Sequence, residues 1–192
     1  MASSIKAMLM VAYLRMRKVR NRPLDSAARS LVSSMIKSSD NDAANWVSFQ
    51  VGPRRMRTLA RKAGMEEFTY STTWGTSTSS PADQARFMRG IEDLLPPRHR
   101  RFAMRLLARI VPSQRWGIPK ARPAGWKLFF KGGWGISDRR YGGTVNHQVA
   151  LIRRGRYRVG LAIFTQGNPY TSYGNKTLRG VARRLLRGFP TP

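Results

Sequence analysis

The sequence predicts an α/β (α+β) sandwich, an antiparallel sheet flanked by helices with a helical cluster packed on it, formed as a single unit over residues 1–192. Three observations carry this prediction. Apolar residues recur at helical spacing through the first half of the chain, and the period changes to that of strands near Trp126. The order reads as helices, then an antiparallel meander, then one helix. No internal repeat and no clear linker divides the chain into two cores.

Taken in order, residues 3–18 read as a buried central helix, apolar on almost every face from Ala7 to Leu14. Arg15, Arg17, Lys18 and Arg20 then bring it to solvent. Pro23 opens a second helix, to about Ile36, with Leu24, Ala27, Ala28, Leu31 and Met35 at helical spacing. The polar knot Ser38-Ser39-Asp40-Asn41 breaks it. A short helix covers Ala43 to Phe49. Gly52-Pro53 turns the chain into another, closed by Gly64. Residues 66–80 form a Ser/Thr-rich loop, and Ser80-Pro81 with Asp83 is a helix-start signature. That helix runs to about Asp93. Pro96-Pro97 separates it from a helix over roughly 98–110, followed by a Pro/Gly-rich loop to residue 125. Strands cover Trp126–Lys131, Val145–Arg153 and Tyr157–Thr165, the last two joined at Arg154-Gly155 as a hairpin. Ser172–Arg187 is a final amphipathic helix.

Composition narrows the chemistry. With no cysteine there is no disulfide framework, no cysteine-based zinc site and no thiol nucleophile. Two histidines, His99 and His147, leave little scope for a multi-histidine metal site, so neither metal nor cofactor is expected. The longest apolar run, Ala7 to Leu14, is too short to span a bilayer. The 36 Lys+Arg against 9 Asp+Glu give a net charge of +27, with arginine the main source and the charges spread along the chain. Such a charge speaks of partners, not of fold. It suits a polyanion, such as nucleic acid, an anionic envelope polymer or a membrane surface, and equally a basic surface that reflects genome composition. No motif of the common nucleic-acid-binding modules is present.

Three short motifs stand out. Ser3-Ser4-Ile5-Lys6 is a Ser-x-x-Lys at a helix start, and three residues is nearly one turn, so Ser3 and Lys6 share a face. Burial and a neighbouring cation both favour the neutral lysine that a base requires. Ser39-Asp40-Asn41 lies between two helices, where a hydroxyl can shuttle a proton and an amide can both donate and accept. Lys131-Gly132-Gly133-Trp134 lies at the end of a strand. There the glycines allow close approach and the lysine offers a point charge to a carboxylate. Singly, these read as a capped helix, a polar turn and a β-turn.

In this order they resemble the Ser-x-x-Lys, Ser-Asp-Asn and Lys-Thr-Gly signature of class A β-lactamases and penicillin-binding proteins. The flanking stretches are similar too: Ala-Ser-Ser-Ile-Lys-Ala-Met-Leu-Met, Ser-Asp-Asn-Asp-Ala-Ala-Asn and the segment Thr78–Asp83 that closes the Ω-loop. The resemblance covers essentially the whole chain and implies the DD-peptidase/β-lactamase-like fold. It implies an acyl-enzyme mechanism on a β-lactam or a peptidoglycan peptide. Ser3 would attack the carbonyl, Lys6 would accept its proton, and Ser39 would protonate the leaving nitrogen. Asn41 would hold Lys6 and the substrate amide, and Lys131 the substrate carboxylate. The oxyanion hole would be the backbone N–H groups of Ser3 and Trp134, beside Gly132 and Gly133.

Three departures from the family pattern shape the expectations. Gly132-Gly133 replaces Thr-Gly. The loop between Gly64 and Pro81 lacks the Glu-x-x-x-Asn pattern, and its acids, Glu66 and Glu67, lie at its start. The chain begins two residues before Ser3, where the resemblance implies an N-terminal helix and two strands behind an export signal, so a fragment or a misassigned start is expected. By resemblance the location is the cell envelope or outside the cell. The alternatives are a D-alanyl-D-alanine carboxypeptidase-like enzyme, a catalytically dead remnant, and a non-catalytic basic protein that binds nucleic acid or a wall polymer. His147 is expected as a packed or edge residue, and Trp116 as a lining of the cleft mouth or a loop aromatic without a role.

Overall fold

The structure is a computed structural model and describes residues 1–137 and 141–190. It opens with a 3-10 turn, Ala2–Ile5, leading into α1, Lys6–Leu14. All nine residues of α1 are buried, which makes it the axis of the helical cluster. Around it stand α2 (Ser26–Lys37), α3 (Asn41–Lys62) and α5 (Pro97–Ala108). Each buried Leu or Met contributes about 2 kcal/mol by leaving water. The first helix is shorter than the predicted 3–18. After Leu14 the chain bends at Met16, whose N–H bonds to Tyr13 O, and Arg15 donates to Leu94 O at 2.6 Å. The close-set cations that follow repel one another and are better solvated outside a helix.

The second helix does not begin at Pro23. Asp25 caps it, accepting the Ala28 N–H at 2.7 Å. The break between α2 and α3 falls in the expected polar knot, with Asp40 capping α3 through Ala43 N. Helices predicted on either side of Gly52 are the two arms of α3, kinked where Gly52 takes φ +68°. Ser80 and Pro81 open α4, Pro81–Leu94, as predicted.

The sheet has three antiparallel strands in the order β1-β2-β3: Lys127–Ile136, Thr144–Arg154 and Tyr157–Asn168. The first strand corrects the sequence reading. Lys131-Gly132-Gly133-Trp134 is not at its end but inside it, because pairing with β2 continues through Gly133↔His147 to Ile136↔Thr144. Alternation then divides the motif between two faces. Lys131 and Gly133 face the helical cluster, where α4 also packs. Gly132 and Trp134 face the side of Trp116 and the last helix, α6, Thr171–Leu185.

Candidate active site

Ser3 sits half-buried in the opening 3-10 turn, one turn ahead of the fully buried Lys6. The neighbouring Ser4 is buried and its hydroxyl donates to Met1 O at 2.7 Å, so it serves the turn. Strand β1 runs flush against this turn. A Cβ on Gly133 would lie 2.7 Å from Ser3 N and 2.5 Å from Ser4 N, so no side chain fits there. The serine turn and the interior of β1 thus meet backbone to backbone.

Ser39 is the hub of the site. It adopts φ +63°, a left-handed conformation that costs a non-glycine residue about 1–3 kcal/mol. That conformation aims both of its oxygens at lysines. Lys6 Nζ donates to Ser39 O at 2.6 Å, and to Ser39 Oγ at 3.3 Å. Lys131 Nζ donates to the same Oγ at 3.0 Å and to Gly132 O at 2.8 Å. Asn41 completes the shell, accepting from Lys6 at 2.7 Å through Oδ1. No hydrogen bond joins Ser3 to Lys6 among the described residues. Burial pulls Lys6 down to about 8, with the Asp40 carboxylate opposing. Burial and the Lys6 charge together hold Lys131 well below the ordinary lysine range. A hydroxyl between two buried lysine amines is suited to moving a proton, and the same amines, when protonated, to holding an anion.

The other face of β1 explains one sequence departure. A Cβ on Gly132 would meet the Trp116 indole at 3.1 and 3.2 Å, so that ring fills the space a threonine side chain would need. Trp116 stands edge to face with Trp134, centroids 5.8 Å apart, and Trp134 is 37% exposed. Trp116 thus packs against the motif strand, on the face opposite Lys131.

The loop ahead of α4 is folded back by the Thr69–Thr78 bridge. Buried Asp83 accepts the N–H groups of both Glu66 and Glu67 and pairs with Arg86. The Glu66 carboxylate lies at the surface, 3.8 Å from Arg86. Glu67 is exposed as well. Over Lys6 stands Trp74, with Nζ 4.8 Å from the ring centroid and the indole Nε1 donating to Asn45 Oδ1 at 2.8 Å.

The structure therefore gathers Lys6, Ser39, Asn41 and Lys131 in one hydrogen-bonded group, with the Ser3 turn against Gly133. Sequence reasoning missed Trp74, although it is the one tryptophan of its Ser/Thr-rich loop. It also missed the part Asn45 plays, within a stretch quoted only for likeness. His147 is a packed residue, as expected, 4.5 Å ring to ring from Phe164, and burial lowers it to about 4. Among the described residues no group of acids and histidines is arranged to hold a metal ion, and no helix is long and apolar enough to cross a membrane.

A serine turn before a buried helix, a polar interhelical turn and a lysine strand, set in this order around an antiparallel sheet, define the fold shared by β-lactamases and penicillin-binding enzymes. The class A β-lactamase from Mycobacterium abscessus superposes with a TM-score of 0.79 at 21% identity, over 98% of this chain and 84% of that one. The chromosome-encoded β-lactamase of Vibrio parahaemolyticus gives 0.77 at 15% identity, over 100% and 85%. PBP-A gives 0.74 at 22%, over 98% and 80%. The model of the beta-lactamase enzyme family matches residues 18–189, and the chain belongs to that family. The matched stretch holds Ser39, Asn41 and the β1 motif but begins after Ser3 and Lys6. No curated protein matches the sequence.

Proposed function

We propose that this chain is a serine hydrolase of the class A β-lactamase type, acting as one catalytic unit over residues 1–192 and acylated at Ser3 by β-lactams. The observation that carries the reading is the Ser39 hydroxyl held between Lys6 and Lys131. In its neutral form Lys6 takes the Ser3 proton as Oγ attacks the lactam carbonyl. The oxyanion is met by the N–H groups of Ser3 and Trp134, at the place where Gly133 lets strand and turn touch. Ser39 passes a proton to the departing nitrogen, while Asn41 orients Lys6 and the substrate amide. Lys131, drawn toward its charged form by a substrate carboxylate, holds that group without help from a neighbouring hydroxyl, since Gly132 carries none. No metal or cofactor enters this chemistry.

Deacylation is the slow step of the proposed cycle. A general base has to reach the attacking water within hydrogen-bond distance and contributes about 10²–10⁴ in rate. Glu66 and Glu67 are held at the start of the loop, their N–H groups bonded to Asp83 and their side chains exposed. The protein then behaves more like a penicillin-binding protein than an efficient β-lactamase. By the same resemblance it works in the cell envelope or outside the cell. Stopped-flow kinetics with a chromogenic cephalosporin tests this: a stoichiometric burst followed by slow turnover is expected. Fast turnover without a burst, abolished in Glu66→Gln or Glu67→Gln, contradicts it. Cleavage of a D-Ala-D-Ala peptide faster than of any β-lactam would move the assignment to a cell-wall carboxypeptidase.

A second reading draws on the surface. Around the β2–β3 turn, a groove of about 650 Å³ is lined by Lys62, Arg86, Arg89, Arg156 and Arg158, with Asp93 the only acid in its lining. This is the end of the sheet away from Ser3, and it suits contact with an anionic wall polymer or nucleic acid. A log–log salt titration of binding is the check, because several phosphate contacts give a steep slope. A flat slope removes this reading.

A further inference from the structure

The groups that Lys6 Nζ touches directly are electron-rich. Two of its donors go to Ser39 O at 2.6 Å and Asn41 Oδ1 at 2.7 Å, both of which can only accept. The Trp74 ring lies 4.8 Å away and offers a π-face, which attracts a cation and gives a neutral amine nothing comparable. The ring is not there by packing alone. Its Nε1 donates to Asn45 Oδ1 at 2.8 Å, and Asn45 is one helical turn beyond Asn41 on α3, so one helix holds Lys6 from both sides. The loop that carries Trp74 is tied by Ser71 N to Ser77 Oγ, 3.0 Å, and by Thr76 Oγ1 to Ser71 Oγ, 2.9 Å. The charged groups acting on Lys6 are Asp40 from the turn before α3 and Lys131 from β1. The stretch of loop around Trp74, residues 71–77, has no charged side chain; the Met1 ammonium is bonded to it at Ser77 O, 2.7 Å, and the acids at the loop's start, Glu66 and Glu67, are exposed.

We infer that Trp74 is a positioning residue for the proposed acyl transfer: pinned by Asn45, its indole holds Lys6 in the charged, Ser39- and Asn41-bonded state and so sets the pH above which Lys6 can take the Ser3 proton. This rests on the acyl-enzyme reading for its consequence but not for its test. Burial alone lowers Lys6, and the ring opposes that lowering. Replacing Trp74 by leucine keeps the site dry while removing the π-face. Replacing it by phenylalanine keeps both the dryness and a π-face but gives up the N–H that Asn45 holds.

The test is the titration of Lys6 in the ligand-free protein, labelled with ¹³C,¹⁵N-lysine, followed at Cε and Nζ by NMR and assigned with Lys6→Arg. Trp74→Leu is expected to lower the Lys6 midpoint by about half a pH unit to one unit, the size of a cation–π contact. Trp74→Phe, which keeps a π-face but loses the bond to Asn45, is expected to lower it by clearly less than leucine does. Asn45→Leu, which frees the indole without touching Lys6, is expected to shift it part of the way. An unchanged or raised midpoint in both Trp74→Leu and Asn45→Leu overturns the inference, as does a Trp74→Phe shift equal to that of leucine. The acid limb of the acylation rate with penicillin should move by the same amount as the titration. If the titration shifts as expected but Ser3 is never acylated, the role of Trp74 stands and the hydrolase reading falls. If Ser3 is acylated while the titration does not move, the reverse holds.

Discussion

Gly132 shows how one position can be settled by a residue far away in sequence. The family pattern puts threonine there, and a threonine would add a hydroxyl for the substrate carboxylate. In this chain the Trp116 indole stands 3.1 Å from where its Cβ would be. Gly132→Thr is therefore expected to destabilise the fold by about 1–3 kcal/mol through overpacking. Combining it with Trp116→Ala is expected to recover part of that loss, since the two side chains compete for one space. Urea midpoints for the two single variants and the double variant form the cycle. Strict additivity would show that the ring moves aside freely and does not explain the glycine.

At the scale of elements, much is legible because local signals agree with tertiary demands. Asp40 at the start of α3, Gly52 at its kink and Ser80-Pro81 at α4 are positions where the backbone needs a cap or a left-handed residue, and the sequence supplies one. Periodicity extends the first helix too far, to residue 18, because it does not register the repulsion among Arg15, Arg17, Lys18 and Arg20. It ends β1 too early for a related reason. Gly132-Gly133 looks like a turn, yet both glycines lie in the strand because other backbone or an indole crowds each face. Gly160 is a third such case: a Cβ there would fall inside van der Waals contact of Ala85 O, where α4 rests on β3. Gly160→Ala is expected to cost about 1–3 kcal/mol by urea denaturation. Gly180→Ala, in α6 with open space around it, is expected to stabilise by about 0.5–1 kcal/mol. Equal effects from the two would contradict the packing described for α4.

At the scale of the whole molecule, two buried lysines make stability depend on pH. The motifs identify Lys6, Ser39, Asn41 and Lys131, but no spacing rule shows that one hydroxyl would sit between both lysine amines, because they come from elements far apart in the chain. In the folded protein Lys6 is lowered from 10.5 to about 8 and Lys131 well below its ordinary value. The unfolded chain then binds more protons than the folded one between these values and the unfolded value. Stability consequently rises with pH through that window. The melting temperature is expected to climb from about pH 7 to about pH 9, with a smaller climb in Lys131→Met. A melting temperature that falls over this range would show that the lysines are not desolvated in solution.

The central claim is that Ser3 is the nucleophile, placed by the meeting of its turn with β1. It is tested most directly by incubating the protein with benzylpenicillin, trapping the product, and mapping the modified peptide by mass spectrometry. The account predicts one adduct per chain, on the peptide that holds Ser3, persisting long enough to isolate and absent from Ser3→Ala. An adduct on another residue, or one that survives Ser3→Ala, would contradict it.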